Sequence, residues 1–315
     1  MAPLEMELAV FVIVMGLSGG CRPHDSQAPR ASLDSTAEPL PSATISDGPD
    51  GPCEPADCHQ YDSLAEAFES TLVGKPRLVA VGEAHAQKGT VVASSAKHFT
   101  ETILPRLAGR ASDLLVELMN PPSGCAPTTE VVRRKQEVVT RVQAPTDQGE
   151  YVAMGERARH LGIVPDLLRP SCADLEAVKA AGDDSISASL EMIARLTRTQ
   201  AVKLLDRDAH TPGDADKLVV TYGGAIHNDV DPPKERAAWS FAPALSAYTE
   251  GRFVAVELFI PELIDDSDRW KSWFFYRYYD PAKLGAKTTV FHRGNTFVIV
   301  LPRGEQTNAA PQPQH

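Results

Sequence analysis

A chain of 315 residues, 43% hydrophobic and 23% charged, is long enough to bury a full core in one domain of ordinary size. Its net charge of −11 and the lack of any Lys/Arg-rich run exclude a nucleic-acid partner, because phosphate binding needs a basic patch.

The first element is an apolar run of ten residues, Leu8 to Leu17, too short to span a bilayer and followed by Ser18-Gly19-Gly20-Cys21. This resembles a bacterial lipoprotein signal, in which a Leu and two small residues precede a Cys that receives lipid, although Leu17 stands one position early. Residues 1–21 are therefore expected to be a signal segment, with Cys21 as a membrane anchor in the bacterial cell envelope, on the periplasmic or outer-membrane side. An ordinary cleaved signal is the alternative. If Cys21 carries lipid, Cys53, Cys58, Cys125 and Cys172 remain, an even set that an oxidising compartment can join in any of three pairings.

Residues 22–55 are rich in Pro, Ser, Asp, Gly and Ala and poor in large apolar side chains, which predicts a disordered tether; 304–315 reads as a similar tail. The folded domain is expected over 56–303.

Within it, Asp62 to Val73 has helical spacing and is stopped by Gly74-Lys75-Pro76. Arg77 to Val81 is a buried strand, Thr90 to Leu107 a helix, and Leu114-Leu115-Val116 a second strand closing on Glu117, together a βαβ unit that predicts a parallel pair. A helical middle follows, in Thr128 to Val142, Glu150 to Leu161, Ala173 to Ala180 and Ser185 to Ala209, with a short strand at Gly162-Ile163-Val164. Then the opening pattern returns: a strand at Leu218 to Tyr222, a helix from Lys234 to Thr249 interrupted near Pro243, and a strand at Phe253 to Val256 closing on Glu257. Thr288 to His292 and Thr296 to Leu301 flank Arg293-Gly294-Asn295 as a hairpin. The fold class is α/β: a mixed, largely parallel sheet built from two βαβ repeats, with flanking helices and a helical insert.

The repeat also carries the chemistry. Gly82-Glu83-Ala84-His85 with Val116-Glu117-Leu118 is matched by Gly224-Ala225-Ile226-His227 with Val256-Glu257-Leu258, and His to Glu spans 32 residues in the first copy and 30 in the second. If both units share one sheet, the four strand ends meet at its C-terminal edge, where open α/β sheets bind ligands. Glu83, His85, Glu117 and His227 are then expected to converge. Glu257 is either a further member of the site or a structural copy, and Tyr222 either a cofactor contact or sheet packing. A lone Gly-x-x-His is a weak signal; its repetition at the same structural point is what makes a site here.

These motifs resemble the superfamily that groups erythromycin esterases, ChaN-like haem-binding lipoproteins, TraB proteins and Tiki proteases, over roughly residues 60 to 260, and are most similar to the ChaN-like branch. The resemblance implies one pocket formed by the two His and the acidic residues. It leaves the chemistry open between metal-dependent proteolysis, metal-free ester hydrolysis and haem binding. His85, His227, Glu83 and Glu117 are the residues expected to ligate a zinc, cobalt or manganese ion, with one carboxylate left as base. Without metal, a His held in one tautomer by a Glu deprotonates water directly. Both routes are hydrolysis of an ester, lactone or peptide bond in a small-molecule or peptide substrate. The alternative is a haem- or metal-binding lipoprotein without catalysis. No Gly-x-Ser-x-Gly elbow supports a serine nucleophile.

Overall fold

The computed structural model describes residues 58–144 and 147–304. The signal segment with Cys21, the tether with Cys53, and the tail beyond Gly304 lie outside the described residues.

Eight strands make one sheet: β1 (Cys58–Tyr61), β2 (Leu78–Glu83), β3 (Ala111–Met119), β4 (Val164–Leu168), β5 (Leu218–Gly224), β6 (Phe253–Phe259), β7 (Thr288–Arg293) and β8 (Thr296–Val300). Their order is β1-β7-β8-β6-β2-β5-β3-β4. Strand β7 runs antiparallel to β1 and β8, and the remaining pairs are parallel, so the sheet is mixed and largely parallel.

The two βαβ units do not sit side by side, as the expected β2–β3 pair would require; they interlock. Strand β5 lies between β2 and β3, and β2 lies between β5 and β6. Leu78 to Val81 and Leu218 to Tyr222 are buried on both faces, and such strands need neighbours on both edges as well. Interlocking gives each unit's first strand that central place.

Helices cover both faces: α1 (Leu64–Thr71), α2 (Ser95–His98), α3 (Ala126–Thr140), α4 (Asp147–His160), α5 (Cys172–Ala180), α6 (Ser185–Ala209) and α7 (Ala242–Tyr248). On one face, Phe68 of α1, Phe99 beyond α2 and Met154 of α4 pack with Val79, Val81 and Val220. On the other, Val132, Val178, Ile193 and Leu245 from α3, α5, α6 and α7 pack with Leu78, Ala80 and Val219. An aromatic cap of Phe259, Trp270, Phe275 and Phe291 closes the second face beside β7 and β8.

Several elements depart from their predicted bounds for local reasons. The helix predicted from Thr90 begins at Ser95, because the Ser94 hydroxyl accepts from Lys97 N and caps it there. It runs through a π turn, Phe99–Ile103, into a 3₁₀ turn at Leu104–Leu107, where Pro105 has no N–H to continue an α ladder. The helix predicted over Lys234 to Thr249 is a 3₁₀ segment, Lys234–Trp239, and then α7 with Pro243 in its first turn, as the Pro signal indicates. Strand β4 starts two residues later than predicted, and β1 carries no apolar alternation in Cys58-His59-Gln60-Tyr61 that would reveal it.

Cys125 and Cys172 form a disulfide that joins the starts of α3 and α5, and Cys58 is disulfide-bonded as well. The Cys125–Cys172 bond closes a loop of 47 residues, for which chain-entropy loss in the unfolded state amounts to about 4 kcal/mol. Replacing both cysteines with Ala is expected to lower the melting temperature by roughly 10 °C, at 2–4 °C per kcal/mol for a domain of this size. An unchanged melting curve would refute that contribution. Among the described residues no helix is long and apolar enough to cross a membrane.

Candidate functional site

Strands β2, β3, β5 and β6 all end at the same edge of the sheet. Glu83 closes β2 and His85 follows it two residues later, both directed to the face that carries Val79, Val81 and Tyr222. His85 Nδ1 lies 2.9 Å from Glu83 Oε1. Two phenols hold the same carboxylate: Tyr151 of α4 donates to Oε1 at 2.8 Å, and Tyr222 of β5 donates to Oε2 at 2.5 Å. Burial pushes the Tyr151 phenol well above its usual range and the Glu83 charge adds to that, so the hydroxyl stays a donor. A carboxylate offers only acceptors, which assigns the proton to His85 Nδ1 and leaves Nε2 as the basic nitrogen.

The other two residues come from the opposite face. Glu117 sits between Leu115 and Met119, which belong to the α6 side of the sheet, and its Oε2 accepts from Gly224 N at 2.8 Å. His227 ends the turn Ala225–His227 that follows β5. Its Nδ1 lies 2.6 Å from the Trp239 carbonyl oxygen, and since a carbonyl can only accept, Nδ1 again carries the proton. His227 Nε2 faces Glu117 Oε1 at 3.7 Å.

The two halves meet over Gly224. A Cβ placed there would stand 3.6 Å from His85 Nε2 and 3.8 Å from both Glu117 Oε2 and His227 Cδ2. Both imidazoles and Glu117 thus approach one point above Gly224. The neighbouring Gly223 has a separate duty: a Cβ there would overlap the Glu117 carboxylate, so a missing side chain is what lets Glu117 cross the end of β5. The role of Gly82 is matched by Gly223 rather than by Gly224, since Gly82 and Gly223 are register partners and each lies under a Glu.

Tyr222 and Glu257, the two further residues expected at the site, are both buried in the sheet. The Tyr222 hydroxyl is spent on Glu83. Glu257 is paired in register with Gly82 and is fully buried against it, beside Asn228, with neither carboxylate oxygen completing a hydrogen bond. Burial pushes its carboxyl well above the usual range, and the nearby Asp229 charge pushes the same way. Sequence reasoning missed Tyr151, which reads as core because Tyr151, Met154 and Ala158 form one apolar helical stripe.

Glu83, His85, Glu117 and His227 are 4, 3, 7 and 1% exposed, so the cluster is shut off from bulk water. The chain leaving His85 is tied to the end of α3 by Ala144 N to Ala86 O at 2.8 Å and Lys88 N to Val142 O at 2.9 Å. Farther along the same sheet edge, beyond β6 and β8, opens a groove of about 420 Å³, its wall including Leu64, Val92, Ile260 and Leu301 with His98 and Arg303.

Among the described residues no group of three or more His, Cys, Asp or Glu side chains is placed to hold a metal ion. Glu83, one of the four expected ligands, already accepts from two phenols and one imidazole. The residues as arranged do not form a ligand set for zinc, cobalt or manganese.

No family model and no curated protein matches the chain. Solved structures do align with it. The type III effector HopBA1 is 12% identical, with 84% of this chain and 99% of that one covered at a TM-score of 0.36. A variant of the erythromycin esterase EreC in its open conformation is 9% identical, with 81% and 100% covered at 0.39. A protein from Bacillus cereus is 9% identical, with 74% and 90% covered at 0.35. An erythromycin esterase variant thus stands among the structural neighbours.

Proposed function

We propose that the protein is a hydrolase that activates water with His85 and cleaves an ester, lactone or peptide bond. The observation that carries this reading is the meeting of His85 Nε2, His227 and Glu117 within 4 Å of one point, while the far nitrogen of His85 is bound to Glu83.

Each part has a chemical task. His85 Nε2 takes a proton from water as the water oxygen attacks the substrate carbonyl, and Glu83 stabilises the imidazolium that results. Glu83 stays in place because Tyr151 and Tyr222 fix both of its oxygens. His227 Nε2 and Glu117, 3.7 Å apart on the opposite side, are acceptors for the other hydrogen of that water and hold it in line. His85 then gives the proton it took to the leaving oxygen or nitrogen as the intermediate collapses, so the proton count closes at one imidazole. A buried hollow strengthens these interactions, since a charge that develops there is poorly screened. The reading extends to location: lipid on Cys21 would hold the enzyme at a membrane of the cell envelope.

The test is turnover of an ester, lactone and peptide panel by purified protein, with elemental analysis and a haem titration on the same preparation. Hydrolysis that survives chelation is expected. A Soret band with added haem and no turnover would replace this reading with a haem-binding one, and activity that tracks one equivalent of zinc, cobalt or manganese would overturn its metal-free form.

A further inference from the structure

Glu257 is costly to explain as packing. It is fully buried in the centre of the sheet, between Gly82 of β2 and Val298 of β8, and neither oxygen completes a hydrogen bond. Asn228 Nδ2, buried beside it, completes none either. Orphaned polar atoms in such a place are rare, and two of them facing one another suggest a pair.

Both sit where the two halves of the site touch. A Cβ on Gly82 would overlap Glu257 Oε2, stand 2.6 Å from Asn228 Nδ2, and stand 2.7 Å from Ala225 Cα, the first residue of the turn that carries His227. Away from the sheet, that turn is anchored by His227 Nδ1 on the Trp239 carbonyl, by Phe241 N donating to His227 O, and by the Ser240 hydroxyl donating to the same oxygen. Toward the sheet, the side chain that follows His227 is Asn228, and it faces Glu257.

We propose that Glu257 and Asn228 form a buried acid–amide clasp that holds the His227 turn against Gly82 and so keeps His227 Nε2 directed at Glu117. Glu257 is a positioning residue for the site described above, and the inference rests on the reading of His227 as a working member of it. The chemistry is complementary. A carboxylic acid has one O–H donor and one carbonyl acceptor, and the matching edge of a primary amide has one N–H donor and one carbonyl acceptor, so a face-to-face pair satisfies both acid oxygens and that edge of the amide. The clasp needs the protonated acid. Burial, and then the Asp229 charge, favour that form and outweigh the Asn228 amide, which favours the charged one; among the described residues Asp229 is the charged group whose field acts on Glu257.

Three variants test it: Glu257→Gln, which keeps a donor and an acceptor; Glu257→Leu, which keeps the volume and removes both; and Asn228→Ser, which shortens the partner if the Leu variant fails to fold. Turnover and the ¹⁵N imidazole spectrum of His227 are read on each, the latter without any substrate. The Leu and Ser variants are expected to lose about 10- to 100-fold in kcat with KM little changed, the usual cost of removing a group that orients a catalytic imidazole. Their His227 ring should populate both tautomers, while the Gln variant stays within about threefold of the native rate. A buried acid that is neutral in the fold and ionised in the unfolded chain stabilises below about pH 4.3 and loses that stability as pH rises. The Gln variant should therefore melt above the native protein by a margin that widens with pH. A His227 spectrum identical in native and folded Leu or Ser protein would overturn the clasp, as would a Gln variant as impaired as the Leu one. Loss of hydrolysis with His227 undisturbed counts against the clasp alone. A disturbed His227 without any hydrolysis in the native protein upholds the clasp and sinks the enzymatic reading.

Discussion

Glu83→Gln is expected to lower kcat by about 10,000-fold, the size of loss seen when the acid behind a catalytic imidazole becomes its amide. Oε1 accepts from Tyr151 and His85, and Oε2 accepts from Tyr222. An amide replaces one of those acceptors with an NH₂ donor, so at least one of the three donors loses its partner, and the cheapest adjustment is for His85 to turn its proton to Nε2. That is the nitrogen that must be basic. His85→Ala should lose about as much, and the double variant scarcely more, because residues that act as one unit are not additive. The measurement is kcat for the best panel substrate, with a thermal melt to show that the fold persists. Turnover by Glu83→Gln within tenfold of native would show that Glu83 does not orient the base.

Gly82→Ala should cost about 3 kcal/mol, at the upper end of overpacking effects, and lower the melting temperature by roughly 6–12 °C. The cause is steric rather than conformational: the new methyl group meets the buried Glu257 carboxylate and the backbone of Ala225, and backbone in the centre of a sheet cannot retreat. Gly223→Ala presents a different balance. Its nearest neighbours are all Glu117 atoms: the carboxylate can swing away, and only Glu117 Cβ, 2.8 Å off, asks the strands to give slightly, so the expected loss of stability is smaller, about 1–2 kcal/mol, while the loss of activity is large because the Glu117 carboxylate is displaced. Denaturant melts and kcat on both variants separate the two. Equal losses of stability would contradict the asymmetry between a fixed and a movable neighbour.

Much of the site was legible from local pattern. Strand ends after Val81, Val116, Tyr222 and Val256 follow from apolar runs that stop at Gly or Glu, and the paired His-bearing turns follow from the repeat. What those signals lack is partnership. Glu83 and Glu117 look alike in sequence, each a carboxylate at the close of an apolar strand. In the fold one is held by two tyrosines as the support of His85, and the other faces the hollow with Gly224 N on its oxygen. Glu257 looks like a twin of Glu117 and is paired with a glycine in the same way, yet its neighbours are Asn228 and Gly82 and no imidazole. Tyr151 could not be found at all, because a helix stripe that packs on a core and a helix stripe that reaches a buried carboxylate have the same period.

By themselves, then, the residues determined an α/β chain with two interchangeable strand–turn units, each with a His and a Glu at its tip, because periodicity and turn chemistry depend on neighbours a few positions away. The tertiary structure alone decided that the units interlock, which glycine lies under which carboxylate, and which carboxylate supports and which one faces the hollow. Those outcomes depend on burying every strand edge at once, a condition set by contacts more than a hundred residues apart, such as Tyr222 with Glu83 and Gly224 with Glu117.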